Sequence, residues 1–85
     1  MAPWATKEAD RRAQTAAIDL LHQAGFVPDG KAWGRPRFVK PGSKRKVTVG
    51  VEKTTFYDVP TPGRTRMIAV VSTTNLERIG LLARE

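Results

Sequence analysis

Residues 44–53 alternate between apolar and polar side chains, and this alternation limits the fold more than any other feature of the sequence. Such a period of two is typical of a β-strand with one face in a core and one face in water. The apolar side holds Val47, Val49 and Val51. The polar side holds Lys46, Thr48, Gly50 and Glu52. The sequence therefore predicts a sheet that is covered on one side only.

Two helices are predicted to cover that sheet. Apolar residues recur every three or four positions over residues 7–24, which indicates an amphipathic helix. Thr6 is the predicted N-cap, and Gly25 follows the helix at the position where a left-handed residue commonly ends one. The second helix is shorter and opens at Thr74, which forms a capping-box pattern with Glu77.

Two further strands complete the predicted sheet. One spans residues 33–40, where Pro36 favours an edge position, and the other spans 67–71. Residues 26–32 and 54–64 are predicted as connections, since each contains proline, glycine and aspartate. Pro-Gly turns are predicted at residues 40–43 and 61–64. The predicted fold class is α+β, in the order α-β-β-β-α, with a three-stranded antiparallel meander and two helices packed on one face.

The chain of 85 residues is expected to form one small basic α+β domain over residues 1–85. It has no cysteine, so it lacks disulfides and cysteine metal ligands, which fits a reducing compartment. The N-terminal segment carries acidic residues and does not resemble a signal peptide. No stretch approaches the roughly 18–20 apolar residues of a membrane span. We therefore expect a cytoplasmic protein without a membrane partner.

The positive charge is concentrated in the middle of the chain. Residues 31–66 hold ten basic and two acidic residues, a net charge of +8. The remaining residues hold five basic and six acidic residues, a net charge of −1, which returns the total of +7. A field of one sign in so short a segment attracts polyanions.

Within this segment a strand, a loop and a second strand are expected to form a basic surface that binds nucleic acid. Such surfaces bind phosphate backbones because neutralising phosphates releases condensed counterions. A simpler interpretation is that edge-strand cations prevent pairing between sheets, although that requires only two or three charges. The predicted binding residues are Arg35, Arg37, Lys40, Lys44, Arg45, Lys46, Arg64 and Arg66.

Aromatic residues beside the basic segment are candidates for stacking on bases or for docking on a protein partner. These are Trp33, Phe56 and Tyr57, with Trp4 as a further docking residue. A tryptophan at the start of a strand is more often part of the core.

No constellation for chemistry is recognisable in the sequence. The single histidine, His22, lies in the last turn of the first predicted helix, where its charge suits the helix dipole. The acidic residues are scattered, and the glycines do not form a phosphate-binding loop. We therefore predict no catalytic residues, no metal site and no cofactor.

Two short segments carry a resemblance to a known group. The segment Leu20-Leu21-His22-Gln23-Ala24-Gly25-Phe26 resembles the helix end of HicA-type toxins, and Trp33 to Phe38 stands where those toxins carry a Gly-Ser-His strand. The element order is also similar to that of double-stranded RNA-binding domains. The resemblance implies that fold and RNA as ligand. Arg35 and Pro36 occupy the place of the catalytic histidine, so it does not imply nuclease activity.

Three functions follow from these observations. The first is a non-catalytic nucleic-acid-binding module that favours RNA. The second is a small effector that docks on another protein, of phage or mobile-element type. The third is a divergent HicA-like ribonuclease toxin. A homodimer through an exposed sheet edge is compatible with each of them.

Overall fold

A computed structural model describes the backbone of residues 3–85 and the side chains of residues 11–85. The prediction for the Trp4 side chain lies outside these described side chains. The prediction of Thr6 as an N-cap is wrong, because the first helix already begins at Pro3 and Thr6 lies inside it. The elements are α1 (Pro3–Gln23), β1 (Val27–Ala32), β2 (Arg35–Val39), β3 (Arg45–Val49), β4 (Lys53–Thr61), β5 (Arg64–Ser72) and α2 (Leu76–Arg84). The α+β class is confirmed, but the sheet has five strands where three were predicted.

The five strands form one antiparallel sheet in the order β1-β2-β3-β4-β5. Each strand pairs with its neighbours in sequence, so the predicted meander is correct and is longer than expected. One row of partners runs Phe38, Val47, Phe56 and Ala69 across β2 to β5. The Pro-Gly turns are also confirmed, with Gly42 and Gly63 at φ values of 80° and 83°.

Strand β1 occupies residues that were predicted as a connection. Its register with β2 shifts between Pro28 and Lys31, so Asp29 and Gly30 together lie opposite Arg37 as a β-bulge. Gly30 has a φ of 70°, which suits such a bulge. Proline and glycine are compatible with this strand because β1 is an edge strand and its ladder is interrupted.

Strand β4 also contradicts the sequence prediction, since it runs through Asp58 and Pro60. Its pairing with β3 ends at the partners Arg45 and Asp58. Its pairing with β5 is irregular between Asp58 and Thr61. Pro60 therefore lies where a regular ladder no longer requires its N–H group.

Both helices cover one face of the sheet, as predicted. Leu21 from α1 and Ile79 from α2 meet Phe56 from the sheet, and all three are buried. The side-chain amide of Gln14 donates to the carbonyl oxygen of Val49 at 3.0 Å and ties α1 to the end of β3. Val51 was predicted to join this core, but β3 ends at Val49 and Val51 is exposed in the following turn.

The end of α1 agrees with the prediction, and the start of α2 differs from it by one residue. Gly25 ends α1 as expected, with a φ of 98°, and the N–H of Phe26 donates to the carbonyl oxygen of Leu21. The N-cap of α2 is Asn75, whose side chain accepts from the N–H of Arg78 at 3.2 Å. The predicted cap, Thr74, lies one residue earlier and contacts Ser72 instead.

Neither helix is long and apolar enough to cross a membrane, within the part of the chain that the structure describes. The two sheet edges are β1 and β5, so the edge position predicted from Pro36 is wrong: β2 pairs with both β1 and β3. The homodimer stays a prediction.

Candidate nucleic-acid interface

The face of the sheet opposite the helices carries the candidate interface, and we call it the open face. Since side chains alternate along a strand, the partners Arg37, Thr48, Thr55 and Val70 lie on it, between rows that belong to the core. Lys46 and Tyr57 form the next row on the same face. The prediction that Lys46 and Thr48 point away from the valines is therefore confirmed by register.

Four cationic residues occupy open-face positions: Arg35, Arg37, Lys46 and Lys53. No open-face position of β2 to β5 holds an acidic residue. Lys53 was not among the predicted binding residues because residues 54–64 were not recognised as a strand. Its alternation with Thr55 and Tyr57 is the signal that places it here.

Asp29 in the β1 bulge contacts two of these cations. Its carboxylate oxygen Oδ2 lies 3.0 Å from an Arg37 guanidinium nitrogen and 3.7 Å from Lys46 Nζ. Arg37 Nε also donates to the backbone oxygen of Asp29 at 3.0 Å. The bulge therefore places one carboxylate between two predicted phosphate-binding residues and neutralises part of their charge.

Arg35 lies at the opposite end of the open face from the β2–β3 turn. Its side chain crosses Gly50, because a methyl group at residue 50 would lie 3.0 Å from Arg35 Nε. Arg35 is exposed and forms no ion pair with the described side chains. It thus presents a guanidinium to solvent on an ordered part of the sheet.

The other predicted binding residues gather at one end of the sheet, around the β2–β3 and β4–β5 turns. Lys44 and Arg64 are exposed there. Lys40 lies against the end of α1, since a methyl group at residue 25 would lie 3.7 Å from Lys40 Cε. Arg66 is exposed, but it pairs in register with Asp58, the partner of Arg45, and therefore lies on the side of the sheet away from the open face.

Arg45 was predicted to belong to the basic surface, and its position corrects that prediction. It alternates with Lys46 and therefore shares the side of β3 that holds Val47 and Val49. Its Nε lies 2.6 Å from Asp58 Oδ1, and its second guanidinium nitrogen NH1 is buried without a hydrogen-bond partner. Arg45 is held by the fold and is not part of the open face.

Trp33 and Tyr57 form an aromatic pair on the open face. Their ring centroids lie 5.4 Å apart at an interplanar angle of 58°. Trp33 sits in the β1–β2 turn, beyond Arg35, whereas Tyr57 lies on β4, two strands away from β2. The hairpin therefore curls over the open face, consistent with the extra twist that a β-bulge produces.

The two rings differ in accessibility. Trp33 is 67% exposed and Tyr57 only 3%. Phe56, the third predicted aromatic contact residue, is fully buried beneath the helices and cannot serve as a surface contact. Tyr57 supports Trp33, so of the three predicted residues Trp33, Phe56 and Tyr57 only Trp33 presents its ring to solvent.

Thr48 shows how far the open face is covered by its own side chains. It is 1% exposed, although no helix packs on that face. Its hydroxyl Oγ1 is buried and has no hydrogen-bond partner. Tyr57 is its diagonal neighbour across β3 and β4. Neighbouring side chains, Tyr57 among them, therefore cover the centre of the open face.

His22 contacts the core from the end of α1. Its Nδ1 lies 3.2 Å from the backbone oxygen of Phe26, and its ring packs edge-on against Phe38 at 5.6 Å. Among the described residues, no group of three or more His, Cys, Asp or Glu side chains is placed to hold a metal ion.

Comparisons with known proteins add no relative to this description. No protein-family model matches the chain, and searches of curated proteins and of solved structures gave no match. The resemblance to HicA-type toxins and double-stranded RNA-binding domains accordingly stays a prediction from sequence.

Proposed function

We propose that the chain is a non-catalytic nucleic-acid-binding module, with RNA as its favoured ligand. The observation that carries the proposal is the charge of the open face. Four cations stand on it, and β2 to β5 contribute no acidic side chain to it. Lys44 extends the same side of β3 towards the β2–β3 turn.

The arrangement suits a phosphate backbone. From Lys44 to Gly50 the strand direction spans roughly 20 Å at about 3.4 Å per residue, so cations are spread along the length of the open face. Arginine adds a planar fork that matches phosphate oxygens in pairs. Each phosphate contact releases counterions, so affinity must fall as salt rises. The sequence resemblance to RNA-binding domains supports RNA over DNA.

The alternative of docking on a protein partner loses support from the burial of its anchors. Phe56 and Tyr57 are inaccessible, and of the described aromatic anchors only Trp33 is exposed. Hot spots at protein interfaces are usually clusters of accessible aromatic and arginine side chains. We therefore treat protein docking, and the ribonuclease alternative, as outcomes of the test.

The test compares fluorescence anisotropy of labelled single-stranded RNA, duplex RNA and duplex DNA across a salt series. A face variant carries Arg35→Gln, Lys44→Gln and Lys53→Gln, none of which has an ion-pair partner among the described side chains. A matched control carries Arg11→Gln, Arg12→Gln and Arg78→Gln, three exposed cations of the two helices. Both variants lower the net charge by three, from +7 to +4.

Salt-sensitive binding that the face variant loses and the control keeps is the expected result. The slope of log affinity against log salt should fall by about 2 in the face variant, at about 0.7 per lost contact on a single strand. Equal loss in both variants would mean that net charge alone drives binding. No binding at low salt would refute the proposal and leave protein docking, and RNA fragments on a gel would indicate the ribonuclease.

A further inference from the structure

Trp33 has a backbone conformation that is unfavourable for a bulky residue. Trp33 and Gly34 form a two-residue hairpin turn between the partners Ala32 and Arg35, with φ values of 55° and 73°. Positive φ at both positions defines a type I′ turn, whose first position favours asparagine, aspartate or glycine. Trp33 is the only non-glycine residue with positive φ in the described part of the chain.

A bulky residue in this conformation is strained, and such strain is characteristic of functional positions. Burial of the side chain does not offset this backbone strain, because two thirds of the Trp33 surface remains in water. The ring packs against Tyr57, and most of its surface is exposed. The fold thus presents a large aromatic surface on the same face of the sheet as the cations.

Arg35 follows Trp33 by two residues and is exposed on the open face. Lys31 pairs with Pro36, so it lies on the other side of the hairpin. A base stacked on the indole would bring its own sugar-phosphate groups close to Arg35. Stacking on tryptophan requires an unpaired base, because bases within a duplex are covered by their neighbours.

From this geometry we infer that Trp33 is the stacking site for an unpaired base and that the preferred ligand is single-stranded RNA. The inference rests on the proposed function and names its ligand class. Tyr57 acts as a positioning residue that supports the indole from behind, and Arg35 binds the adjoining phosphate. Duplex RNA would engage the cations alone.

The test uses Trp33→Asn in the full chain. A second variant, Trp4→Phe, leaves Trp33 as the only tryptophan and serves as a fluorescence reporter. Asparagine suits the first position of a type I′ turn, so the variant is expected to keep its circular dichroism spectrum and cooperative unfolding. Affinity for a single-stranded RNA 12-mer should fall about tenfold, whereas affinity for the same sequence in a duplex should change less than twofold. In the Trp4→Phe protein, Trp33 fluorescence should be quenched by the single strand.

Each outcome decides the matter. Unchanged single-strand affinity in Trp33→Asn, or bound RNA without quenching of Trp33, overturns the stacking site and leaves the proposed function standing if the face variant still loses binding. Failure of the unaltered protein to bind any RNA overturns both. Should Trp33→Asn fail to fold, quenching in the Trp4→Phe protein alone supports or overturns the stacking site.

Discussion

Arg37 holds Asp29 by two contacts, one from its Nε to the backbone oxygen and one from its terminal nitrogen to the carboxylate, each at 3.0 Å. The same carboxylate lies 3.7 Å from Lys46. A single acid in the β1 bulge therefore reduces the positive potential of the open face where two strands present their cations.

Removing that carboxylate should strengthen binding to nucleic acid. In Asp29→Asn the backbone contact to Arg37 is retained, while Arg37 and Lys46 become available to phosphates. We expect the affinity for single-stranded RNA to rise several-fold at low salt, and the salt slope to steepen by up to about 1.4 if each forms one contact. Anisotropy across a salt series measures both. As a control of equal charge, Asp19→Asn on the exposed surface of α1 should have a smaller effect. An equal gain in both variants would contradict the prediction.

A buried hydroxyl pair joins the end of the sheet to the start of α2. Thr73 Oγ1 donates to the backbone oxygen of Gly50 at 2.7 Å, so Thr54 Oγ1, 3.0 Å away, must donate to Thr73. Thr73→Val leaves both partners buried without a hydrogen bond, and we expect the free energy of unfolding to fall by about 2–3 kcal/mol. Urea unfolding provides the measurement. The neighbouring exposed Thr74→Val should change it by less than about 0.5 kcal/mol, and similar losses at both sites would speak against the buried pair.

Replacing Thr48 by valine should raise the free energy of unfolding, in contrast to Thr73→Val. Thr48 is fully buried on the open face, and its Oγ1 has no hydrogen-bond partner. Valine has nearly the same shape and removes this unsatisfied group, so Thr48→Val is expected to raise the free energy of unfolding by about 1 kcal/mol. Urea unfolding checks the sign. A clear loss of stability would show that the hydroxyl does have a partner in solution.

Two neighbouring residues at the start of α2, Thr74 and Asn75, should contribute differently to stability. Asn75 accepts from the N–H of Arg78, so Asn75→Ala should lower the free energy of unfolding by about 1 kcal/mol. Thr74→Ala removes only an exposed contact to Ser72 and should cost less than half of that. Thermal unfolding of both variants is the measurement. A larger loss at Thr74 would restore the capping box that the sequence pattern predicts.

The sequence predicts which side of β3 faces the helices, because Val47 and Val49 alternate with Lys46 and Thr48. The same alternation places Arg45 on the side of the valines, away from the other predicted binding residues of β3. Strands β1 and β4 were missed because Pro28, Gly30 and Pro60 are unfavourable in a regular ladder. They are tolerated here because one lies at an edge and the other at a break in pairing.

The aromatic pair could not be predicted from local pattern. Trp33 and Tyr57 are 24 residues apart and belong to a turn and a strand that are not neighbours in the sheet. They meet only because the bulge at Asp29 and Gly30 curls the hairpin, and that curvature is a property of the assembled sheet. Phe56 was misassigned because its role depends on which side of an unrecognised strand faces the helices.

The packing of α1 and α2 into one core has a consequence for folding. Each strand pairs with its neighbours in sequence, so the sheet grows from hairpins that close short loops at small entropic cost. The helix layer instead joins Ala17 and Leu21 to Ile79 and Ala83, near the two ends of the chain. Docking of α1 against α2 must therefore wait for the longest loop to close. Loss of the helix layer would expose Phe38, Val47 and Phe56 on the apolar side of the sheet, a state prone to aggregation.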